Sequence, residues 1–433
     1  MRPVLTGILF AAFFLAEPIS AQSTNNFGSP YSRFGVGERL GLTSSMTDAM
    51  GGAGTAMRSS LYANLANPAQ WADLSFVGFS AAAQVRGIET TDAADATSRA
   101  SGGGVRGIQF SIPLSSRKVG MTLAFRPYSR VDYRAIEEGE IEPDEGDTPV
   151  AFRHNFEGNG GLHQFTAGLG VRLSPAISVG ASAEMFFGTI EYLQRTEFPE
   201  NDEYLETRTA RSTRLSGITG TVGAIVSKSN VFGEGDAIHV GASVTLPAKL
   251  SGNFVQTLGV SLDRDTVATS LDGSVTLPLS ARFGMAYTGS EHWSFAADVL
   301  YEPWGSFESD FAFGGFDPVS GINSLKDRLR AGGGFQVIPG GRQRTAGYFA
   351  RTAYRFGAYA ERSFYAPFDT NLNTFAVTAG VSLPTVVPAA RFDLGLEVGT
   401  RGSTDGMLVR DVFIRGTATI NFGERWFVRR RIG

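Results

Sequence analysis

Apolar and polar side chains alternate one for one along much of the chain, most plainly near the C-terminus. In RFDLGLEVG (391–399), apolar residues occupy the even positions and polar residues or glycines the odd ones. The stretches 292–301 and 414–422 repeat the pattern. A period of two indicates β-strands with one apolar and one polar face. The pattern predicts fourteen strands, near residues 74–87, 104–114, 118–133, 161–173, 176–192, 211–227, 237–250, 277–289, 292–305, 325–337, 347–362, 373–383, 389–401 and 409–422.

The lengths of these strands and of their connections indicate a membrane barrel. Most strands exceed the roughly 9–11 residues that a tilted strand needs to cross a bilayer. Long or polar connections such as 134–160 follow the odd-numbered strands, and mostly tight ones such as 115–118 follow the even-numbered strands. Outer-membrane barrels have this asymmetry, whereas a soluble β-sandwich has no reason to sort its loops. We therefore predict an all-β fold, a 14-stranded antiparallel transmembrane β-barrel over residues 74–422.

In a barrel the two faces of each strand have different environments. The apolar faces should meet lipid and the polar faces should line the lumen. Aromatic residues at strand ends should form the interfacial girdles, and four of them are in position to do so: Tyr133, Trp293, Tyr301 and Trp304.

The N-terminus predicts export. A positive residue, Arg2, precedes an apolar run at 4–16, and Ile19-Ser20-Ala21 is a plausible cleavage site. The run is too short to cross the roughly 30 Å of hydrocarbon as a helix. We expect residues 1–21 to be a signal peptide cleaved near Ala21, and the mature protein to reside in the outer membrane of a Gram-negative-type bacterium.

Residues 22–73 lack the alternating pattern and contain AMGGAGTAMRSSLYANLANPAQW (49–71). These glycines do not fit a dinucleotide fingerprint, because Met57 stands where the third glycine belongs and no strand precedes them. A fourteen-stranded barrel has a lumen too wide for its own side chains to fill. We predict that 22–73 forms a plug, or hatch, inside the lumen; the alternative is an ordered periplasmic arm. Residues 423–433 form a basic tail, predicted to be periplasmic.

The segment 49–71 resembles the N-terminal hatch of the FadL/TodX transporters for long-chain fatty acids and hydrocarbons. Those proteins carry a Gly/Ala-rich segment and then Asn-Pro-Ala before the first strand of a fourteen-stranded barrel. SPYSRFGVGE (29–38) and NFGERWFVRRR (421–431) further resemble the Bacteroidetes-type branch of the family. The matching hatch residues are Gly51, Gly52, Gly54, Asn67, Pro68 and Ala69.

The resemblance implies passive uptake of a hydrophobic or amphipathic small molecule. The ligand would bind from outside, pass the hatch and leave laterally beside a kinked third strand. Pro127 lies inside the predicted third strand, and a proline there removes a ladder hydrogen bond. Pro127 is therefore a candidate for the lateral gap; the alternative is that the strand has already left the membrane at this point.

The predicted lumen face is strongly charged. Its arginines could bind the carboxylate of an amphipathic ligand through paired hydrogen bonds. Alternatively, they form salt bridges that hold the plug to the wall. The candidate arginines are Arg126, Arg172, Arg282, Arg351, Arg355 and Arg391, and the candidate acidic partners are Glu184, Asp298, Glu361, Asp393 and Glu397.

Composition excludes several other functions. The chain has no cysteine and only four histidines, and no nucleophile–base arrangement or metal-ligand spacing is evident. A net charge of −4 gives no reason to expect nucleic-acid binding. We expect a monomer that contacts membrane lipid, with no enzymatic activity, cofactor or metal. An alternative function is a barrel that carries secreted protein or binds a partner protein through the loops 134–160, 193–210 and 306–324.

Overall fold

In the computed structural model the chain forms a closed antiparallel β-barrel. The structure describes residues 28–41, 44–142, 149–199, 204–260, 269–289, 291–341, 343, 345–387, 389–405 and 408–425. The predicted signal peptide and most of the predicted basic tail lie outside these residues. No described helix is long and apolar enough to cross a membrane.

Strands dominate the described chain. One short α-helix, α1, spans Ser45–Asp48, and 3-10 helices span Pro30–Arg33, Pro68–Asp73, Trp304–Ser306, Phe349–Arg351 and Pro367–Asp369. The strands are β1 (Glu38–Arg39), β2 (Val77–Thr91), β3 (Thr97–Ser115), β4 (Val119–Pro127), β5 (Ser129–Arg130), β6 (Tyr133–Ile141), β7 (Val150–Arg172), β8 (Ile177–Glu197), β9 (Thr207–Ser229), β10 (Ala237–Thr245), β11 (Ala248–Val260), β12 (Thr269–Leu277), β13 (Ser280–Gly289), β14 (Trp293–Glu302), β15 (Glu308–Ser309), β16 (Phe316–Asp317), β17 (Ile322–Asn323), β18 (Arg328–Val337), β19 (Ala353–Arg362), β20 (Asn373–Pro384), β21 (Arg391–Arg401) and β22 (Arg410–Glu424).

These strands build fourteen spans of the wall, which confirms the predicted fold. Eleven spans are single strands, and the other three are interrupted: β4 with β6, β10 with β11, and β12 with β13. Pro247 and Pro278 lie at the last two interruptions, where each lacks the N–H that a continuous ladder would use. The wall closes where β22 pairs with β2.

The two faces of the wall are distributed as predicted. Large apolar side chains such as Phe165, Met185 and Val377 are exposed on the outside. Polar neighbours such as Gln164 and Glu184 are buried on the inside. This inversion, apolar outside and polar inside, is what a bilayer requires of a barrel that spans it.

Two details of the prediction were wrong. Tyr133 and Trp304 are buried rather than girdle residues, while Trp293 and Tyr301 are exposed as expected. The segment 134–160, predicted as a loop, contains β6 and the first part of β7. β6 has glutamates on both faces, so it carries no apolar alternation for the sequence pattern to detect. The first part of β7 does alternate, with Val150, Phe152 and Phe156 on one face, but the prediction places it in the long polar connection.

Candidate functional site in the barrel lumen

Residues 28–73, here called the N-terminal segment, contact the inner wall from opposite sides. Asn67 reaches β9 and β10, Gly51 lies against β18 and β19, and Glu38 binds arginines of β2, β21 and β22. A segment that touches strands on opposing sides of a closed wall lies inside that wall. Its contacts therefore define what fills the lumen.

Asn67, Pro68 and Ala69 fasten one end of this segment. The Asn67 side chain caps the 3-10 helix that Pro68 begins, accepting from the Ala69 N–H at 3.0 Å. Its Nδ2 donates to the carbonyls of Ala224 and Ala242 at 3.1 and 3.2 Å. The wall is glycine where the helix touches it, because a Cβ at Gly223 would lie 2.1 Å from Asn67 Oδ1. The motif thus joins a local cap to the wall.

The glycines of the opening motif serve close backbone approach. Gly51 and Gly52 have φ values of 68° and 84°, which favour glycine. Across from them the wall also lacks side chains, since a Cβ at Gly357 would lie 2.4 Å from the Gly51 nitrogen. A Cβ at Gly334 would lie 2.5 Å from Met50 Cα. Glycines on both surfaces therefore let the segment and the wall interlock.

Asp298 fixes the same turn through hydrogen bonds alone. One carboxylate oxygen accepts from the Gly54 N–H at 2.7 Å and from the Thr55 N–H and hydroxyl at 2.8 and 2.7 Å. The predicted acidic residue thus binds the N-terminal segment rather than an arginine.

Glu38 is the centre of a charged cluster that the sequence did not single out. Its carboxylate accepts from Arg86, Arg401 and Arg415, each at 3.1 Å. Burial by itself would raise the pKa of Glu38, but Arg401, Arg415 and Arg86 outweigh it and hold the pKa below its ordinary value. The carboxylate therefore remains charged and ties the segment to three strands at once.

Arg39 begins a second chain of charges. It contacts Glu302 at 3.3 Å, and Glu302 also contacts Arg328 at 3.2 Å. Arg328 continues to Glu361 at 2.9 Å, and Arg330 contacts the same carboxylate at 3.5 Å. Glu361, predicted as a lumen acid, is thus paired twice.

The six candidate arginines differ in their surroundings. Arg172 pairs with Asp73 of the N-terminal segment, and Arg355 donates to Gln336 at 2.7 Å and Ser382 at 2.6 Å. Arg126 and Arg282 line lumen cavities. Arg391 opens β21.

Arg351 lies apart from the lumen strands. It ends the 3-10 helix before β19, in the connection after β18. The sequence pattern extended the strand back to residue 347 because Tyr348 and Ala350 continue the apolar alternation. The backbone turns there instead.

The remaining candidate acids each have partners. Glu184 accepts from Gln164 at 2.8 Å, and Asp393 accepts from Asn421 at 2.8 Å. Glu397 pairs with Arg415 at 3.0 Å and accepts from the Tyr359 hydroxyl. The salt-bridge interpretation therefore fits Arg172, Glu361 and Glu397, whereas Arg126 and Arg282 have no carboxylate partner among the described residues.

An aromatic cluster covers the lumen at the long-loop end. Trp304 is fully buried and stacks on Phe364, with ring centroids 4.4 Å apart. Tyr365 stacks on Tyr31 and Phe34 of the N-terminal segment at 5.7 and 5.3 Å. The rings of the loops and of the segment thereby form one apolar cover.

The third span leaves the wall at Pro127. Pairing between β3 and β4 reaches only from Ser115 to Ile108, and β4 ends at Pro127. The chain then turns inward, and β5 pairs with β1 of the N-terminal segment. β6 rejoins β7, so within the described chain the upper part of β3 (97–107) has a strand ladder with β2 and none on its other side. We call this break the lateral seam.

The lateral seam starts within the membrane-facing belt. Val105 on its β3 side is 65% exposed, and Ile108 just below it is 46% exposed. Behind it, the Arg130 side chain lies at Gly104, where an added Cβ would be 3.3 Å from a guanidinium nitrogen. A side chain, rather than a backbone ladder, therefore covers this part of the wall.

The space left in the lumen is small. Three lumen cavities have volumes of about 50, 60 and 50 Å³, and all border the N-terminal segment. Pockets for drug-sized ligands are typically about 300–1,000 Å³. None of these three cavities is therefore large enough for such a molecule.

The sequence reasoning missed the ion pairs that join Glu38 and Arg39 of the N-terminal segment to the wall. The arginine partners of Glu38 include Arg86, Arg401 and Arg415. A signal was present for Glu38 and Arg39, since they directly follow the Gly-rich stretch 35–37. The wall arginines lie at strand positions that no local pattern distinguishes from surface charge.

A family model named BamG matches residues 4–433. The chain belongs to the BamG family. No curated protein matches it in sequence. Groups of side chains that could hold a metal are absent from the described part of this BamG-family chain.

Solved structures share the fold of this BamG-family chain. The toluene transporter TbuX of Ralstonia pickettii matches with a TM-score of 0.56 at 14% identity, over 89% of this chain and 98% of that one. The toluene transporter TodX of P. putida matches with 0.55 at 15%, over 90% and 100%. A FadL homologue of Pseudomonas aeruginosa matches with 0.57 at 11%, over 89% and 98%. The predicted FadL-like barrel fold is confirmed.

Proposed function

We propose that this protein is an outer-membrane channel for passive uptake of hydrophobic or amphipathic small molecules, of the long-chain fatty acid or hydrocarbon kind. The N-terminal segment acts as its plug and holds it closed. The observation that carries the proposal is the lateral seam, an interruption of the wall at membrane level beside the sealed lumen. A barrel that only needed to be stable would continue the ladder, because unpaired backbone groups are costly in hydrocarbon.

The geometry supports a path with an apolar exit. A ligand would enter from the long-loop side through the aromatic cluster, whose rings offer it an apolar surface. Release of the plug contacts would open the lumen. The ligand would then leave through the lateral seam into the bilayer, where its apolar surface never returns to water.

Two further parts of the proposal concern the protein as a whole. It acts as a monomer, because the plug, the cover and the seam all come from one chain. The motifs at 29–38 and 421–431 assign it to the Bacteroidetes-type branch. The first motif supplies Tyr31, Phe34 and Glu38 to the cover and to the charged cluster.

The test is transfer of a fluorescent fatty acid and of toluene into liposomes that contain the full-length protein. Gly104→Trp places an indole at the inner face of the lateral seam, where only the end of the flexible Arg130 side chain is close. Gly220→Trp is the control on the lipid-facing side of β9, away from the lateral seam, where an added Cβ has an ordinary 3.4 Å contact. We expect the wild type and Gly220→Trp to transfer ligand and Gly104→Trp to be impaired. Wild-type transfer no faster than that of protein-free liposomes would refute the proposal.

The tight seal favours a second candidate, a barrel that binds a protein partner and transports nothing. Its supporting observation is that the plug interlocks with the wall through glycines and leaves only about 50–60 Å³ per cavity. Purification from outer membranes in mild detergent, followed by native mass spectrometry, separates the candidates. A second polypeptide at fixed stoichiometry, together with failed transfer, would replace the channel by the partner-binding barrel.

A further inference from the structure

Three arginines from separate parts of the chain line one cavity between the N-terminal segment and the wall. Arg39 comes from β1, Arg126 from β4 and Arg282 from β13. Glu184 is the sole acid among the described lining residues, and its carboxylate already accepts hydrogen bonds from Gln164 and Thr221. We call this cavity the arginine cavity.

The guanidinium groups of the arginine cavity lack the partners that other lumen arginines have. Arg39 contacts Glu302, but its Nε and Nη1 are buried without a hydrogen-bond partner among the described residues. Arg126 is 8% exposed, and among the described residues it reaches the Gly41 carbonyl at 3.5 Å and the Tyr128 ring at 5.8 Å from the centroid, but no carboxylate. Arg282 forms no hydrogen bond or ion pair with any described residue.

Several other lumen arginines, unlike these three, have more than one carboxylate partner among the described residues. Arg328, Arg401 and Arg415 each contact two carboxylates. Buried polar groups are almost always hydrogen-bonded, and an uncompensated buried charge is strongly destabilising. Three guanidinium groups surround this one cavity, and two of them, those of Arg39 and Arg126, are buried. Since Arg39 keeps buried donors without a hydrogen-bond partner among the described residues, the cluster indicates an anion in the cavity.

The size and the lining of the arginine cavity restrict that anion. Its volume of about 50 Å³ suits a single small anionic group and excludes an alkyl chain. Apolar side chains adjoin the arginines, among them Leu65, Phe186 and Leu246. The surroundings therefore suit the junction between an anionic head and the start of an apolar tail.

We propose that Arg39, Arg126 and Arg282 form a binding site for one carboxylate or phosphate group. As the head-group site of an amphipathic ligand, the assignment rests on the proposed channel function. The bare site would also hold a free anion of the same chemistry. Arginine suits either group, since its planar donors match the oxygens of both.

The site is tested by calorimetric titration of the full-length protein, in an uncharged detergent, with inorganic phosphate, sodium octanoate and dodecyl phosphate. The variants are Arg126→Gln and Arg282→Gln, because removing these groups leaves no carboxylate without its partner. Arg172→Gln is the control, a lumen arginine outside the arginine cavity whose partner Asp73 keeps Arg58. We expect each cavity variant to weaken binding by about tenfold to a hundredfold and the control to leave it unchanged.

The probes separate the sources of the anion. Comparable binding of inorganic phosphate and dodecyl phosphate supports a site for free anions, and preference for octanoate or dodecyl phosphate supports a head-group site. No binding of any probe, or equal binding by wild type and both cavity variants, overturns the site. Binding that the cavity variants weaken, without transfer into liposomes, would support the anion site and refute the channel. Transfer into liposomes without such binding would support the channel and refute the anion site.

Discussion

Replacing Glu38 by glutamine should release the N-terminal segment from the wall. The substitution keeps the shape of the side chain and removes its charge. Arg86, Arg401 and Arg415 then lose a shared carboxylate that each contacts at 3.1 Å. Arg401 and Arg415 retain Asp411 and Glu397, and Arg86 retains Asp132. The variant therefore weakens the attachment of the segment while leaving the wall strands paired with one another.

The magnitude follows from the burial of the cluster. Glu38 is 7% exposed, and Arg86 and Arg401 are each 5% exposed. Removing one partner from such buried ion pairs costs about 3–5 kcal/mol. Since about 1.4 kcal/mol is a factor of ten, the equilibrium between attached and released segment should shift by roughly a hundredfold to several thousandfold.

The assay is conductance of single barrels in a planar bilayer. The wild type should be closed for nearly all of the recording, and Glu38→Gln should open frequently. Glu89→Gln is the control, because the Glu89–Arg99 pair is exposed and such pairs contribute about 0–1 kcal/mol. If Glu38→Gln remains as closed as Glu89→Gln, the charged cluster does not hold the segment and the reasoning is wrong.

Three further predictions follow from the same contacts. Gly334→Ala should raise the open probability in the same recordings, because its Cβ would lie 2.5 Å from Met50 Cα, whereas Gly220→Ala should not. Trp304→Ala should destabilise the barrel by about 3–5 kcal/mol, because the side chain is fully buried. The lower unfolding temperature is measured from the heat-dependent shift in gel mobility, and Trp293→Ala should lower it less because Trp293 is 40% exposed. Acidification from pH 7 to pH 5 should leave the wild type closed. The pKa of Glu38 is lowered, so its stabilising effect is complete above the ordinary glutamate pKa and is lost only as the pH falls toward the folded value; opening at pH 5 would contradict this.

The strands and their faces could be predicted from the sequence alone. Alternation is a local property, since each residue of a strand points opposite to its neighbour whatever its partner strand is. Residues 391–399 therefore identified both β21 and its lipid face. The same reasoning missed β6, where no bilayer imposes a difference between the two faces. It also placed Trp304 in a girdle, because a strand-end aromatic can turn outward or inward with equal local geometry.

What fills the lumen was decided only by the tertiary structure. Glu38 meets Arg401 across 363 positions of sequence, and Gly51 meets Thr378 across 327. No local pattern encodes such pairs, because closure of the barrel and the path of the N-terminal segment bring them together. The same long-range geometry leaves Arg126 and Arg282 without a carboxylate partner in the described part of the chain, while Arg172 is paired. The sequence by itself determined a membrane barrel with a charged interior. The tertiary structure decided which of these charges are paired and which remain available, because a charge is compensated only by groups that lie beside it in space.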